Sequence, residues 1–194
     1  MMQRPELTFS QEVSDWVRDT YQASDVILEY GSGGSTVLAS EMADKTIFSV
    51  ENDKQWADQL RCYLDHAGGA SKVHLHYSFT GKVGKWGRPV GTEAHRSYHD
   101  YPLGIWGHPE FKAPDCVLID GRFREACFYT VMLSCTKKTV VLFDDYTDRM
   151  RYHRVEHFLK PVEVRGRMAK FVLDETALPR KDMARIIGAF ANPF

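Results

Sequence analysis

Two apolar runs of this 194-residue chain end in carboxylates, Leu118-Ile119-Asp120-Gly121-Arg122 and Leu142-Phe143-Asp144-Asp145-Tyr146. If both are strands of one parallel sheet, Asp120, Asp144 and Asp145 share the rim at the carboxyl ends, where open α/β sheets bind ligands. Three hard oxygen ligands converging there suit Mg2+, which would lower the pKa of a bound hydroxyl and align it for reaction. Arg122 and Arg124 follow the first Asp. Guanidiniums so placed could pair with the carboxylates in place of an ion, or clamp an anionic substrate, but cannot act as general bases. The candidates for a base are His95, His99 and His108, in a stretch able to close over a reacting atom. His153 and His157, spaced i, i+4, could chelate a metal on a helix or belong to a solvated basic face with Arg149, Arg151 and Arg154.

A second constellation lies upstream. Val26-Ile27-Leu28 reads as a buried strand running into Glu29-Tyr30-Gly31-Ser32-Gly33-Gly34-Ser35-Thr36. A glycine-packed turn directly after a buried strand lets backbone approach a ligand closely. The dinucleotide pattern G-x-G-x-x-G would need glycine where Thr36 stands, and no Gly-Lys-Ser/Thr of a nucleoside-triphosphate loop follows. Glu51 ends the next strand, 20 positions after Gly31. A carboxylate there can accept hydrogen bonds from both hydroxyls of a ribose, or can cap the next helix with Asn52 and Asp53.

The elements that must position these residues follow from periodicity. A helix leads, with Phe9, Val13, Trp16, Val17 and Tyr21 on one face. Strands at Lys45–Glu51 and Val73–Tyr77 flank a helix carrying Trp56, Leu60 and Leu64, which Gly68-Gly69 terminates. Residues 78–114 break the alternation with six glycines and four prolines, as expected of a lid or binding loop, with room for a hairpin or short helix. Strands at 116–120 and 139–145 flank a helix through Cys127 and Val131. Asp148 is expected to cap a helix through Phe158, a hairpin turns near Gly166, and a short helix closes the chain. Strands alternating with helices predict a parallel sheet covered on both faces.

The stretch E-Y-G-S-G-G-S-T, with its acid two residues before the first glycine, resembles the first motif of the class I S-adenosylmethionine-dependent methyltransferases. The element order resembles that family from about residue 25 to 173. The resemblance implies a Rossmann-like α/β fold with a mixed seven-stranded sheet, helices on both faces and a closing antiparallel hairpin. It implies S-adenosylmethionine as cofactor, held by Glu29, Gly31, Ser32, Gly33, Gly34, Ser35, Thr36, Glu51, Asn52 and Asp120, with Phe79 against the adenine. The acidic strand ends resemble the metal-dependent O-methyltransferases of the catechol and macrolide-sugar types. That implies Mg2+ on Asp120, Asp144 and Asp145, with Asp120 and Asp144 catalytic. The chain departs from the macrolide-sugar pattern at Arg122, where those relatives tend to carry an acid.

The expected activity is methyl transfer to an oxygen or nitrogen of a small molecule. Two rivals stay open: a methyltransferase-like protein that binds cofactor without turnover, and an NAD(P)-dependent oxidoreductase, which Thr36 and the hairpin disfavour. The length suits one domain over residues 1–194, and 43% hydrophobic residues can supply its core. No apolar run approaches a membrane span, so no membrane partner and a cytoplasmic location are expected. Net charge of −1 with no long basic run argues against nucleic acid. A homodimer stays open. Cys62, Cys116, Cys127 and Cys135 lack metal or redox spacing and read as reduced core residues.

Overall fold

The computed structural model describes residues 3–175 and 179–194. A first helix, α1 (Gln11–Gln22), starts at Ser10, whose hydroxyl accepts from the Val13 N–H. Then β1 (Val26–Tyr30), α2 (Gly34–Ser40), β2 (Thr46–Glu51), α3 (Lys54–Ala67) and β3 (Lys72–Tyr77) alternate. After the insertion, which holds the one-turn α4 (Asp100–Leu103), come β4 (Cys116–Ile119), α5 (Arg124–Ser134) and β5 (Thr139–Phe143). The chain ends with β6 (Glu163–Arg165), β7 (Met168–Leu173) and α6 (Met183–Ala189).

The strands form one seven-stranded sheet in the order β3-β2-β1-β4-β5-β7-β6. All pairs up to β5 are parallel, and β7 inserts antiparallel between β5 and β6. The order reverses between β1 and β4, which opens a crevice at their carboxyl ends. All five residues of β1 are buried because helices cover both faces. The two-residue alternation places Val26, Leu28 and Tyr30 in one core with α5, and Ile27 in the other with α1 and α2. Glu29 shares the face of Ile27, so it points at α1 rather than into the crevice.

The β1 and β4 turns approach more closely than side chains would permit. Gly31 has φ +99°, and a Cβ added to it would stand 2.7 Å from the Gly121 backbone nitrogen. Glycine is thus required twice over, by conformation and by space.

Residues 78–114 differ from a free lid. Apart from α4 they hold 3₁₀ turns at Lys85–Gly87, His95–Ser97 and Gly104–Gly107 and a single bridge between Val83 and Pro89. Ala94, Tyr98, Tyr101 and Ile105 are buried in the α5-side core, and the Trp106 indole donates to the Tyr30 hydroxyl at 2.8 Å. Apolar anchors at short intervals turn this insertion into a packed wall. The segment after β5 departs as well: Met150–His157 is 3₁₀, and the Asp148 side chain does not cap it. At three residues per turn, positions four apart leave a common face. His153 therefore meets the Tyr146 carbonyl while His157 meets Asp182, and the two share no metal. Cys116, Cys127 and Cys135 are buried as expected, but Cys62 is exposed on α3. No helix among the described residues is long and apolar enough to cross a membrane.

Gly31→Ala is expected to lower unfolding free energy by about 1–3 kcal/mol, read from urea denaturation, because strain and collision coincide. An unchanged midpoint would show that the two turns can separate at no cost.

Candidate functional site

A cleft of about 1220 Å³ opens at the switch point. Its floor comes from the β1 turn (Gly31 to Ser35), Glu51 to Asp53, and the β4 turn (Asp120 to Arg122). Trp56, Tyr101, the segment 84–90, Arg149, Arg167 and residues 5–9 form the walls. The N-terminal segment passes so close over α2 that a Cβ on Gly34 would collide with the Glu6 backbone.

The β1 turn is held from behind. Glu29 is fully buried and accepts from the Tyr21 hydroxyl at 2.7 Å, Thr36 Oγ1 at 2.6 Å and Ser49 Oγ at 3.0 Å. Thr36 Oγ1 in turn accepts from the Gly33 N–H at 2.9 Å. Burial raises the Glu29 pKa and these hydrogen bonds partly lower it again. Glu29 and Thr36, expected to touch a cofactor, do not line the cleft; they shape the turn whose Gly31, Ser32, Gly33, Gly34 and Ser35 do. The Trp56 indole donates to the Ser32 carbonyl at 2.8 Å and fixes the turn from the α3 side.

Glu51 lines the cleft. Its Oε1 accepts from the Asn52 and Asp53 N–H groups at 2.7 and 2.8 Å, while Oε2 has only a 3.3 Å bond from the Ser32 N–H. A carboxylate offers about four lone-pair sites, so capacity remains on Oε2. Asn52 also lines the cleft but spends its amide on Thr80 Oγ1 and the Gly87 carbonyl, at 2.6 and 2.8 Å, tying down the 84–90 segment. Phe79 is 55% exposed and does not reach the cleft. Being next after a buried Ser78, it lies on the outer side. Among the aromatic residues Phe9, Trp56, Trp86, Tyr101 and Phe194 line the cleft instead.

The three aspartates converge on the rim, but arginines already hold them. The Arg124 guanidinium, 4% exposed, donates to the carbonyls of Gly121, Asp144 and Asp120 at 2.9, 2.6 and 2.8 Å. It also meets Asp120 Oδ1 and Asp145 Oδ2, each at 3.1 Å. Arg149 reaches Asp145 Oδ2 at 2.8 Å, and Arg167 reaches both oxygens of Asp144 at 2.9 Å. Arg124, Arg149 and Arg151 lie over the buried ring of Tyr152. Four guanidiniums set against three carboxylates leave a divalent ion no favourable potential, so this site does not fit Mg2+. Asp144 is fully buried and does not line the cleft, which also removes it from contact with a reactant. Among the described residues, the group with metal-ligand spacing is His74, His108 and Glu110, away from the cleft, where Lys72 occupies Glu110 at 2.8 Å.

None of His95, His99 and His108 lines the cleft, so the expected bases are not there. Asp120 is. Burial, reinforced by Asp144 and Asp145 against the opposing pull of Arg124, pushes its carboxyl up to about 8. Sequence reasoning missed the N-terminal wall, Trp56 and Arg167. Trp56 had a signal in its position on the first turn of the helix after Glu51; residues 5–9 had none.

Fold and cleft together define a class I methyltransferase architecture. No protein-family profile and no curated sequence matches the chain. Among solved structures, a methyltransferase-like protein from Silicibacter pomeroyi is 39% identical over 98% of this chain and 99% of its own, with a TM-score of 0.94. The O-methyltransferase TomG from Streptomyces achromogenes, involved in tomaymycin synthesis and solved with S-adenosylmethionine, has a TM-score of 0.59. It is 16% identical, over 88% of this chain and 82% of its own. An O-methyltransferase from Bacillus cereus, solved with S-adenosylhomocysteine, has a TM-score of 0.56 at 14% identity, over 84% and 80% of the two chains. These two share the fold. The chain belongs to the same methyltransferase-like family as the Silicibacter protein and has the class I methyltransferase fold.

Two outcomes are expected at the rim. Arg124→Met should lower unfolding free energy by about 3–5 kcal/mol, because it leaves three strand-end carbonyls without their donor and Asp120 without its cation; a loss under 1 kcal/mol in urea titration would contradict that. The raised Asp120 pKa means the native state binds that proton more tightly than the unfolded chain. This contribution favours the fold at low pH and is lost as pH rises through about 8. From about pH 5 to 9 the Tm of the wild type should therefore fall relative to Asp120→Asn. A pH-independent difference would place the Asp120 pKa near that of an ordinary carboxylate.

Proposed function

We propose that this protein is an S-adenosylmethionine-dependent methyltransferase acting on an oxygen or nitrogen of a small molecule, without a bound metal. The observation that carries the reading is one continuous cleft joining the Gly31–Ser35 turn and Glu51 to Asp120. Glu51 Oε2, with its remaining lone pairs, takes the ribose hydroxyls beside Asn52 and Trp56. The backbone of the β1 turn takes the methionine end. When bound, the cofactor would supply an electrophilic methyl group on a sulfonium for transfer to an acceptor lone pair, with the thioether as leaving group.

The chain's own part is alignment and proton handling. Asp120, on the rim between cofactor and open cleft, is the acceptor for the proton leaving the nucleophile, and its raised pKa suits that role near neutral pH. Arg124 orients it through Oδ1. The absence of histidines from the cleft lining favours the second reading, cofactor binding without turnover. That reading predicts unaltered S-adenosylhomocysteine affinity and no methyl release with any acceptor.

Calorimetric titration with S-adenosylmethionine, S-adenosylhomocysteine and NADH tests the cofactor. Micromolar binding of the sulfur compounds and none of NADH is expected. Glu51→Ala should weaken S-adenosylhomocysteine roughly 10- to 100-fold through loss of charge-assisted hydrogen bonds to the ribose. Unchanged affinity in a variant that still melts cooperatively would overturn the assignment.

A further inference from the structure

The rim of the cleft carries a cation that its own chain does not neutralise. Four guanidiniums, Arg122, Arg124, Arg149 and Arg167, and three carboxylates, Asp120, Asp144 and Asp145, meet at the ends of β4, β5 and the β6–β7 turn. The ion pairs Arg124–Asp120, Arg124–Asp145, Arg149–Asp145 and Arg167–Asp144 account for every carboxylate and for three of the arginines. Arg122 has no carboxylate within ion-pair distance among the described residues, although it is only 6% exposed and lines the cleft.

Its placement is fixed. The Arg122 N–H donates to the Tyr101 hydroxyl at 3.2 Å, its carbonyl accepts from Cys127 Sγ, and its Nε donates to the Gly121 carbonyl at 3.1 Å. Those bonds lock the stem and leave Nη1 and Nη2 without a hydrogen-bond partner among the described residues. Phe123, which follows, is held at φ +52° in the left-handed region and packed edge-on against Tyr98 and tilted against Tyr101, at 5.0 and 5.5 Å. Burial, and then Arg124, lowers the Arg122 pKa, with Tyr101 and Tyr152 opposing them only in part. A buried, unpaired guanidinium with its two-nitrogen end free is the complement of a planar or tetrahedral oxyanion.

We infer that Arg122 is the anion-recognition residue of the acceptor subsite, and that the methyl acceptor carries an anionic group, a carboxylate or a phosphate, bound end-on by Nη1 and Nη2. This rests on the methyltransferase reading for the word acceptor, whereas the anion site itself stands on the geometry. Arg122 is a specificity residue, distinct from the Asp120 side chain that handles the proton.

The test titrates benzoate and inorganic phosphate separately into protein saturated with S-adenosylhomocysteine and into ligand-free protein, for wild type, Arg122→Met and Arg122→Lys. At least one probe should bind the wild type, at least tenfold more weakly to Arg122→Met and intermediately to Arg122→Lys; the probe preferred identifies the anion. S-adenosylhomocysteine affinity should change less than threefold, and Arg122→Met should melt no lower than wild type, since it removes a cation that has no partner. Equal anion binding by Arg122→Met, or no binding of either probe to the wild type, would overturn the inference. So would competition between anion and S-adenosylhomocysteine with a tenfold loss of the latter in Arg122→Met, which would give Arg122 to the cofactor's own carboxylate. If the wild type binds no S-adenosylhomocysteine, the cofactor reading fails, and the titrations on ligand-free protein still decide whether Arg122 holds an anion.

Discussion

The buried guanidinium of Arg124 ties together the parts on which the cleft depends. It donates to three carbonyls at the ends of β4 and β5 and to the carboxylates of Asp120 and Asp145. A planar donor with its N–H groups in a fixed fork can satisfy in-plane carbonyls and carboxylates together, which a lysine ammonium could not. The desolvation cost of burying it is offset only because nearly all its hydrogen-bonding capacity is met. Through that one group the two strand ends keep their separation, and the acidic rim becomes a scaffold of ion pairs in place of an ion-binding cup.

Charge on the rim then decides chemistry. Burial, reinforced by the carboxylates crowded at the strand ends, raises the proton affinity of Asp120, while Arg167 and Arg149 compensate the other two. The result is one group able to take a proton near neutral pH and one surplus cation, Arg122, beside it. On the opposite side Glu51 and the β1 turn are supported by neutral hydrogen-bonding groups, Thr36, Ser49 and Trp56, and by the buried carboxylate of Glu29. The cleft is thereby polarised along its length, with the carboxylate of Glu51 on one side and the surplus guanidinium of Arg122 on the other.

Much of this was legible in the order of residues. The glycine turn after β1, the acid ending β2, the acids ending β4 and β5 and the antiparallel return at Gly166 are each encoded within a few consecutive positions, and all stand at the strand ends expected. The failures share a cause. Phe79 misses the cleft because the chain turns after β3, and Glu29 faces α1 because strand alternation puts it there. His153 and His157 diverge because the segment winds as 3₁₀, a difference of one residue in hydrogen-bond register that composition does not reveal.

Periodicity and strand-end chemistry by themselves determined the alternating sheet with its closing hairpin, the glycine turn after β1 and the convergence of Asp120, Asp144 and Asp145, and the resemblance carried by that turn pointed to the family. Only the tertiary structure decided what those carboxylates face. Arg124, Arg149 and Arg167 come from three different segments, and whether a guanidinium or an ion neutralises an acid depends on distances of a few ångströms between elements far apart in the chain. For the same reason Arg122 and Arg124, two residues apart and alike in type, end in opposite conditions: one saturated by the fold, the other left with its charge open to the cleft.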